Sequence, residues 1–116
     1  MAASLQFEIV HELLDLAGAR WTIDVIATLR DNRMRFNEIA HAVDGISQKQ
    51  LTSTLRSLQR HGFAFRVAFP TIPPRVEYEL TELGHDFARS IVSLGAFALA
   101  NQNSIEAARR DFDGAA

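Results

Sequence analysis

Cysteine is absent from the chain, and its absence removes disulfides, thiolate metal sites, cysteine nucleophiles and cysteine-based redox sensing together. A bilayer-spanning segment is missing too. The longest apolar run, Ile91 to Ala100 with Ser93 inside it, is far short of the ~20 residues a transmembrane helix needs. The first residues, MAASLQFEIVHELLDL, carry acids among periodic apolar positions, where a secretory leader has a basic flank, an apolar core and a small-residue cleavage site. A cytoplasmic, unprocessed protein with no membrane partner is therefore expected. Glycine and proline are sparse, at six and three. The glycines never crowd into a phosphate-cradling loop, and the prolines all fall between positions 70 and 74. With 47% hydrophobic and 22% charged residues, the balance is that of one globular domain covering 1–116.

The net charge is only −2, but its distribution is uneven. Residues 1–29 carry −3, residues 30–75 carry +5, with eight cations against Asp31, Glu38 and Asp44, and residues 76–116 carry −4. A basic middle between acidic ends suits a molecule that presents one surface to phosphate and the others to solvent or a second subunit.

Apolar periodicity predicts the elements. Leu5, Ile9, Leu13 and Leu16 recur at helical spacing, with Phe7, Val10 and Leu14 as a second set, so a helix over 5–17 is apolar on two sides. Gly18 is its stop. Trp21, Val25, Ile26 and Leu29 mark a second helix, followed by a polar run, 30–33, that reads as loop. Phe36, Ile39, Ala40 and Val43 give a two-turn helix that ends at Asp44-Gly45, where glycine supplies the positive φ of a tight turn. Ser47 and Gln50 form a capping box, after which Leu51, Leu55 and Leu58 make one apolar stripe up to Gly62. Two β-rich stretches, Phe63 to Phe69 and Arg75 to Leu80, flank a proline-rich tip and predict a hairpin. Thr81 caps a last long helix, in which Leu83, Phe87, Ile91, Leu94 and Ala98 form one face and Ala88, Val92, Gly95 and Leu99 another. Ser104 to Phe112 adds a short terminal helix.

Together these give a mostly α chain with a small β-hairpin wing. A helix-turn-helix lies at about 36–62, the wing at about 63–80, and helices at about 5–17 and 81–112 flank them. The flanking helices carry more apolar surface than one small subunit can cover. Val10, Leu14, Ala88, Val92, Gly95 and Leu99 are accordingly expected at a homodimer interface.

Opposite the leucine stripe, Lys49, Ser53, Arg56 and Arg60 project outward at roughly 140–200° from the core direction, with Gln48 and Thr52 beside them. No acid occurs between Asp44 and Glu77. A solvated helix normally mixes both signs for pairing within its surface, whereas one lying against phosphates cannot tolerate carboxylates. Glutamine and lysine offer base-edge contacts, and threonine a thymine-methyl or phosphate contact. Arg35 and Ser47 ahead of the two short helices, Asn37 in the first of them, and Arg66 and Arg75 on the hairpin complete the candidate surface for double-stranded DNA.

No catalytic constellation stands out. His11, His41, His61 and His85 lack zinc-site spacing, and Glu77 and Glu79 read as a solvated strand face, so neither an enzyme nor a metal or other cofactor is expected. Phe7, Trp21, Phe87 and Phe97 are candidates to line a pocket for a small apolar or aromatic effector, although aromatics at helical spacing more often belong to the core.

Several ordered segments resemble the HxlR family of bacterial winged helix-turn-helix regulators over nearly the whole chain. Leu14-Asp15-Leu16-Ala17-Gly18-Ala19-Arg20-Trp21-Thr22 is similar to the family's Leu-Asp-x-x-Gly-x-Lys-Trp-Thr motif, with Arg20 in place of the lysine. Arg35-Phe36-Asn37-Glu38-Ile39 resembles the first helix of its helix-turn-helix, Gly45 to Leu58 its recognition helix, and Pro73 to Gly84 its wing and final-helix start. The resemblance implies a transcriptional regulator that binds a near-palindromic operator as a dimer built from its terminal helices. Two departures stand out. Members often carry a redox-sensing cysteine in a Cys-Pro-Val segment where this chain has Glu8-Ile9-Val10, and Phe97 stands where tryptophan is common. The alternative is a winged-helix module used for protein contacts or dimerisation without DNA.

Overall fold

The computed structural model describes residues 2–115, with side chains from residue 6 onward; the side chain of Leu5 lies outside that range. The order is α1 (Ala2–Gly18), α2 (Thr22–Leu29), β1 (Met34–Arg35), α3 (Phe36–Ala42), α4 (Gln48–Arg60), β2 (Ala64–Phe69), β3 (Arg75–Leu80), α5 (Glu82–Ala100) and α6 (Gln102–Ala115). This is a winged helix-turn-helix. No described helix is long and apolar enough to cross a membrane.

The core gathers Val25, Ile26 and Leu29 of α2, Ile39 and Val43 around α3, and the stripe Leu51, Leu55 and Leu58 of α4. The three leucines are essentially inaccessible, and burial of each contributes about 1.5–3 kcal/mol. That stripe fixes the rotation of α4, so its polar side has to face outward. The capping box forms as its spacing predicts: the Ser47 N–H donates to Gln50 Oε1 at 2.9 Å, and the Gln50 N–H donates to Ser47 Oγ at 3.0 Å. Gly45 turns the chain between α3 and α4 at φ +83°, and Gly62 ends α4 at φ +78°, backbone that an L side chain disfavours.

β2 and β3 form the antiparallel hairpin, from Ala64 opposite Leu80 to Phe69 opposite Arg75. A third strand escapes sequence reading. β1 pairs Met34 with Tyr78 and Arg35 with Glu77, which makes β3 the central strand and anchors the wing to the entry of α3. Two residues are too few to display a strand's alternation, so periodicity cannot tell this strand from a loop. Glu77 and Glu79 are not merely solvated. Arg33 lies 4.0 Å from Glu77 and 3.3 Å from Glu79, and Arg75 Nε lies 3.1 Å from Glu77.

The last long helix differs most from expectation. It ends at Asn101, beyond which the short terminal helix follows as α6, and the positions of α5 that face inward are Gly84, Phe87, Ala88 and Ile91. Of the face read as Leu83, Phe87, Ile91, Leu94 and Ala98, only Phe87 and Ile91 pack on the core, while Leu83, Leu94 and Ala98 are exposed. Ala88 is 2% exposed within its own subunit, so its place is the core and not a dimer surface: one turn from Gly84, it sits where α5 approaches most closely. From Val92 to Ala100 every residue is exposed. The outer helices leave the radius of gyration at 17.7 Å, against about 13 Å for a compact chain of about 100 residues.

Candidate nucleic-acid interface

The helix-turn-helix presents one continuous polar surface. Gln48, Lys49, Thr52, Ser53, Arg56 and Arg60 are all exposed, and together with Ser57 they wall a trough along α4. The cause is local: with Leu51, Leu55 and Leu58 locked inward, residues spaced three and four apart on the opposite side share the outward face. None of the cations here has an ion-pair partner among the described residues, where ion pairs engage Arg33, Arg75 and Arg89.

Ser47 is exposed; its oxygen accepts the Gln50 N–H, and its hydroxyl proton remains free to donate to an anion. Asn37 and Arg35 are also exposed. The Arg35 backbone N–H donates to Glu38 Oε1 at 2.8 Å, so that carboxylate serves the start of α3, while the Arg35 side chain makes no ion pair among the described residues. Arg35 and Asn37 share a second hollow with Pro73, Pro74 and Arg75 of the wing tip, which places the wing beside the entry of α3.

The two wing arginines are not equivalent. Arg66 is exposed. Arg75 is half-buried, its guanidinium 4.6 Å from the centre of the Phe69 ring and paired with Glu77. It therefore holds the hairpin together.

Sequence reading left out Arg20. Its guanidinium lies 4.1 Å from the centre of the Trp21 ring, and it shares a hollow with Lys49 and Ser53 of α4. The basic residue in the segment ending Trp21-Thr22 was the available signal, but only the fold brings that segment beside α4.

The four aromatics proposed for an effector have separate neighbours. Phe87 stacks on Phe63, ring centroids 4.3 Å apart. Trp21 lies against the turn, its ring edge 3.7 Å from where a Gly45 Cβ would sit. Phe7 and Phe97 are 64% and 61% exposed. None of the hollows described here is lined by more than one of the four.

Val10, Leu14, Val92, Gly95 and Leu99 are all exposed. Two apolar hollows run along this side. Val10, Leu13, Leu14 and Leu94 border one of about 260 Å³. Leu14, Ile23, Val92 and Gly95 border one of about 430 Å³.

Residues 16–106 match the family model described as HxlR-like helix-turn-helix. The chain belongs to the HxlR family. Among its relatives is the HTH-type transcriptional regulator YtfH of Escherichia coli, 33% identical over 99 residues that span 85% of this chain and 79% of that protein. Solved structures agree. A transcriptional regulator, ytfH, from Salmonella typhimurium superposes with a TM-score of 0.71 at 33% identity, covering 87% of this chain and 90% of that one. Diamide-treated YodB from B. subtilis gives a TM-score of 0.71 at 33% identity, covering 76% and 87%. HxlR-family membership makes the chain a helix-turn-helix transcriptional regulator and not an enzyme.

Proposed function

We propose that this HxlR-family chain binds double-stranded DNA as a homodimer, placing α4 in the major groove of each half of a near-palindromic operator. The carrying observation is the outward face of α4: six polar or cationic side chains, no carboxylate, and a leucine stripe that holds them outward. In this reading Gln48, Lys49 and Thr52 in the first turns reach base edges, where bidentate and methyl contacts discriminate sequence. Ser47, Ser53, Arg56 and Arg60 lie towards the groove walls. Arg35, Asn37 and the wing residues Arg66 and Arg75 meet the backbone, fixing register.

The dimer rests on α1 and α5. Val10, Leu14, Val92, Gly95 and Leu99 find no cover in the subunit, and an apolar surface of this kind is readily covered by a symmetric partner. Two recognition helices then sit about 34 Å apart, one turn of B-DNA. A small apolar effector that prefers one spacing of those helices would shift the equilibrium by its differential affinity. Phe7 and Phe97 lie on the exposed side of α1 and α5, so a site built from them needs the second subunit.

Electrophoretic mobility shift with genomic fragments at low and moderate salt tests the reading. Retained fragments with steeply salt-dependent affinity are expected. Failure to retain any duplex at low salt would leave the fold as a protein-contact module.

A further inference from the structure

We infer that Arg20, held on the ring of Trp21, clamps a DNA backbone phosphate in the hollow between the α1–α2 turn and α4. This site rests on the DNA-binding reading above and extends it to a segment outside the helix-turn-helix and the wing.

Three observations converge. First, the guanidinium lies 4.1 Å from the Trp21 ring centre. The attraction is that of a cation for the π-face of the ring, and the arginine side-chain hydrogen bonds among the described residues engage Arg33 and Arg89 and not Arg20, so the ring positions the cation while its N–H donors stay available to a phosphate. Second, Arg20 has no ion-pair partner among the described residues, whereas Arg33 and Arg75 are tied to carboxylates of β3. An arginine placed by an aromatic ring and not neutralised is suited to an anion from outside. Third, the hollow of about 460 Å³ beside it is lined by Trp21, Ser47, Lys49, Ser53 and Thr54, and Lys49 and Ser53 also border the trough on the outer face of α4. One anion in this hollow would therefore be contiguous with whatever occupies that trough. For a helix in the major groove, the anion at its flank is the phosphodiester of the groove wall.

Trp21 itself is fixed from below. Its ring rests against the Gly45 turn and packs on the core, so the position of Arg20 is coupled to the turn that orients α4. The clamp thus registers α4 against one strand while the wing meets the backbone elsewhere.

The test combines ethylation interference with the salt dependence of affinity, on genomic DNA selected by the wild-type chain. Arg20→Gln keeps much of the stem over the ring and removes the charge; Arg20→Ala removes both; Arg20→Lys keeps the charge. The charge-removing variants should weaken binding on every sequence and lower the salt slope by roughly 0.9 for each phosphate no longer neutralised. One phosphate in each half-site should become indifferent to ethylation, and Arg20→Lys should retain most of the slope. If Arg20→Gln keeps the wild-type slope and interference pattern while Lys49→Ala weakens binding, the clamp is overturned and the DNA reading stands. If the wild type itself binds no duplex, both fall.

Discussion

The carbonyl of Phe63 occupies the space that a side chain at position 84 would need: a Cβ on Gly84 would collide with it, 2.8 Å from the carbonyl carbon. The approach is drawn tight by Thr81, whose N–H donates to Phe63 O at 3.0 Å, whose hydroxyl donates to Gly62 O at 2.6 Å, and whose oxygen accepts the Gly84 N–H at 2.9 Å. One threonine thus joins the end of α4 to the start of α5. Gly84→Ala is expected to lower stability by about 1–3 kcal/mol, as overpacking does, with DNA affinity of the folded fraction unchanged. Thermal unfolding followed by circular dichroism reads the first part, and an unaltered midpoint would mean that the backbone yields easily.

On α4, Lys49→Ala and Arg56→Ala should leave the melting curve as it is, because both side chains are exposed and unpaired among the described residues. Each should weaken operator binding. For Lys49, removing the amine from a base edge would cost about 1–3 kcal/mol of discrimination, visible as relaxed preference in a competition assay. Wild-type affinity in both variants would remove α4 from the interface.

The wing arginines should separate. Arg66→Ala is expected to reduce the salt slope with little effect on folding. Arg75→Ala should reduce the slope and also lower the thermal midpoint, since it takes the nearer of two cations from Glu77 and uncovers Phe69. Identical melting behaviour of the two variants would count against the tie seen in the hairpin.

Two neighbouring substitutions on α5 should fail in different ways. Val92→Glu places a charge on an exposed apolar position and should produce folded monomers by sedimentation, with most operator affinity gone. Ala88→Glu places it in the subunit core and should unfold the chain. A wild type that sediments as a monomer at micromolar concentration yet binds tightly would exclude the dimer.

Diamide followed by dithiothreitol should leave the protein–DNA complex intact throughout. The chain has no thiolate to oxidise, and its sulfurs are those of Met1 and Met34, whose sulfoxides thiol reductants restore poorly. Release by diamide with recovery in dithiothreitol would contradict this.

Much of this molecule was legible before folding because its signals are local. The α4 cap needs only Ser47 and Gln50, three residues apart; the turn needs Gly45; the outward face follows from the leucine stripe by helical geometry. Membership of the regulator family also followed from ordered short segments. What the pattern misjudged were contacts distant in sequence. β1 exists because β3 offers Met34 and Arg35 a partner more than forty residues away.

The amino-acid order by itself determined the helices, their caps, the hairpin and which side of α4 carries charge, because these depend on spacings within one or two turns. Tertiary structure decided that Ala88 faces its own core while Val92 does not, that Phe87 stacks on Phe63 and does not join Phe97, and that Arg75 is neutralised by Glu77 while Arg20 is held on Trp21. Periodicity alone shows that a helix has apolar faces and cannot say which neighbour covers each one. That choice is made by close packing, here by the approach of Gly84 to the Phe63 backbone, which sets the angle at which α5 leaves the domain.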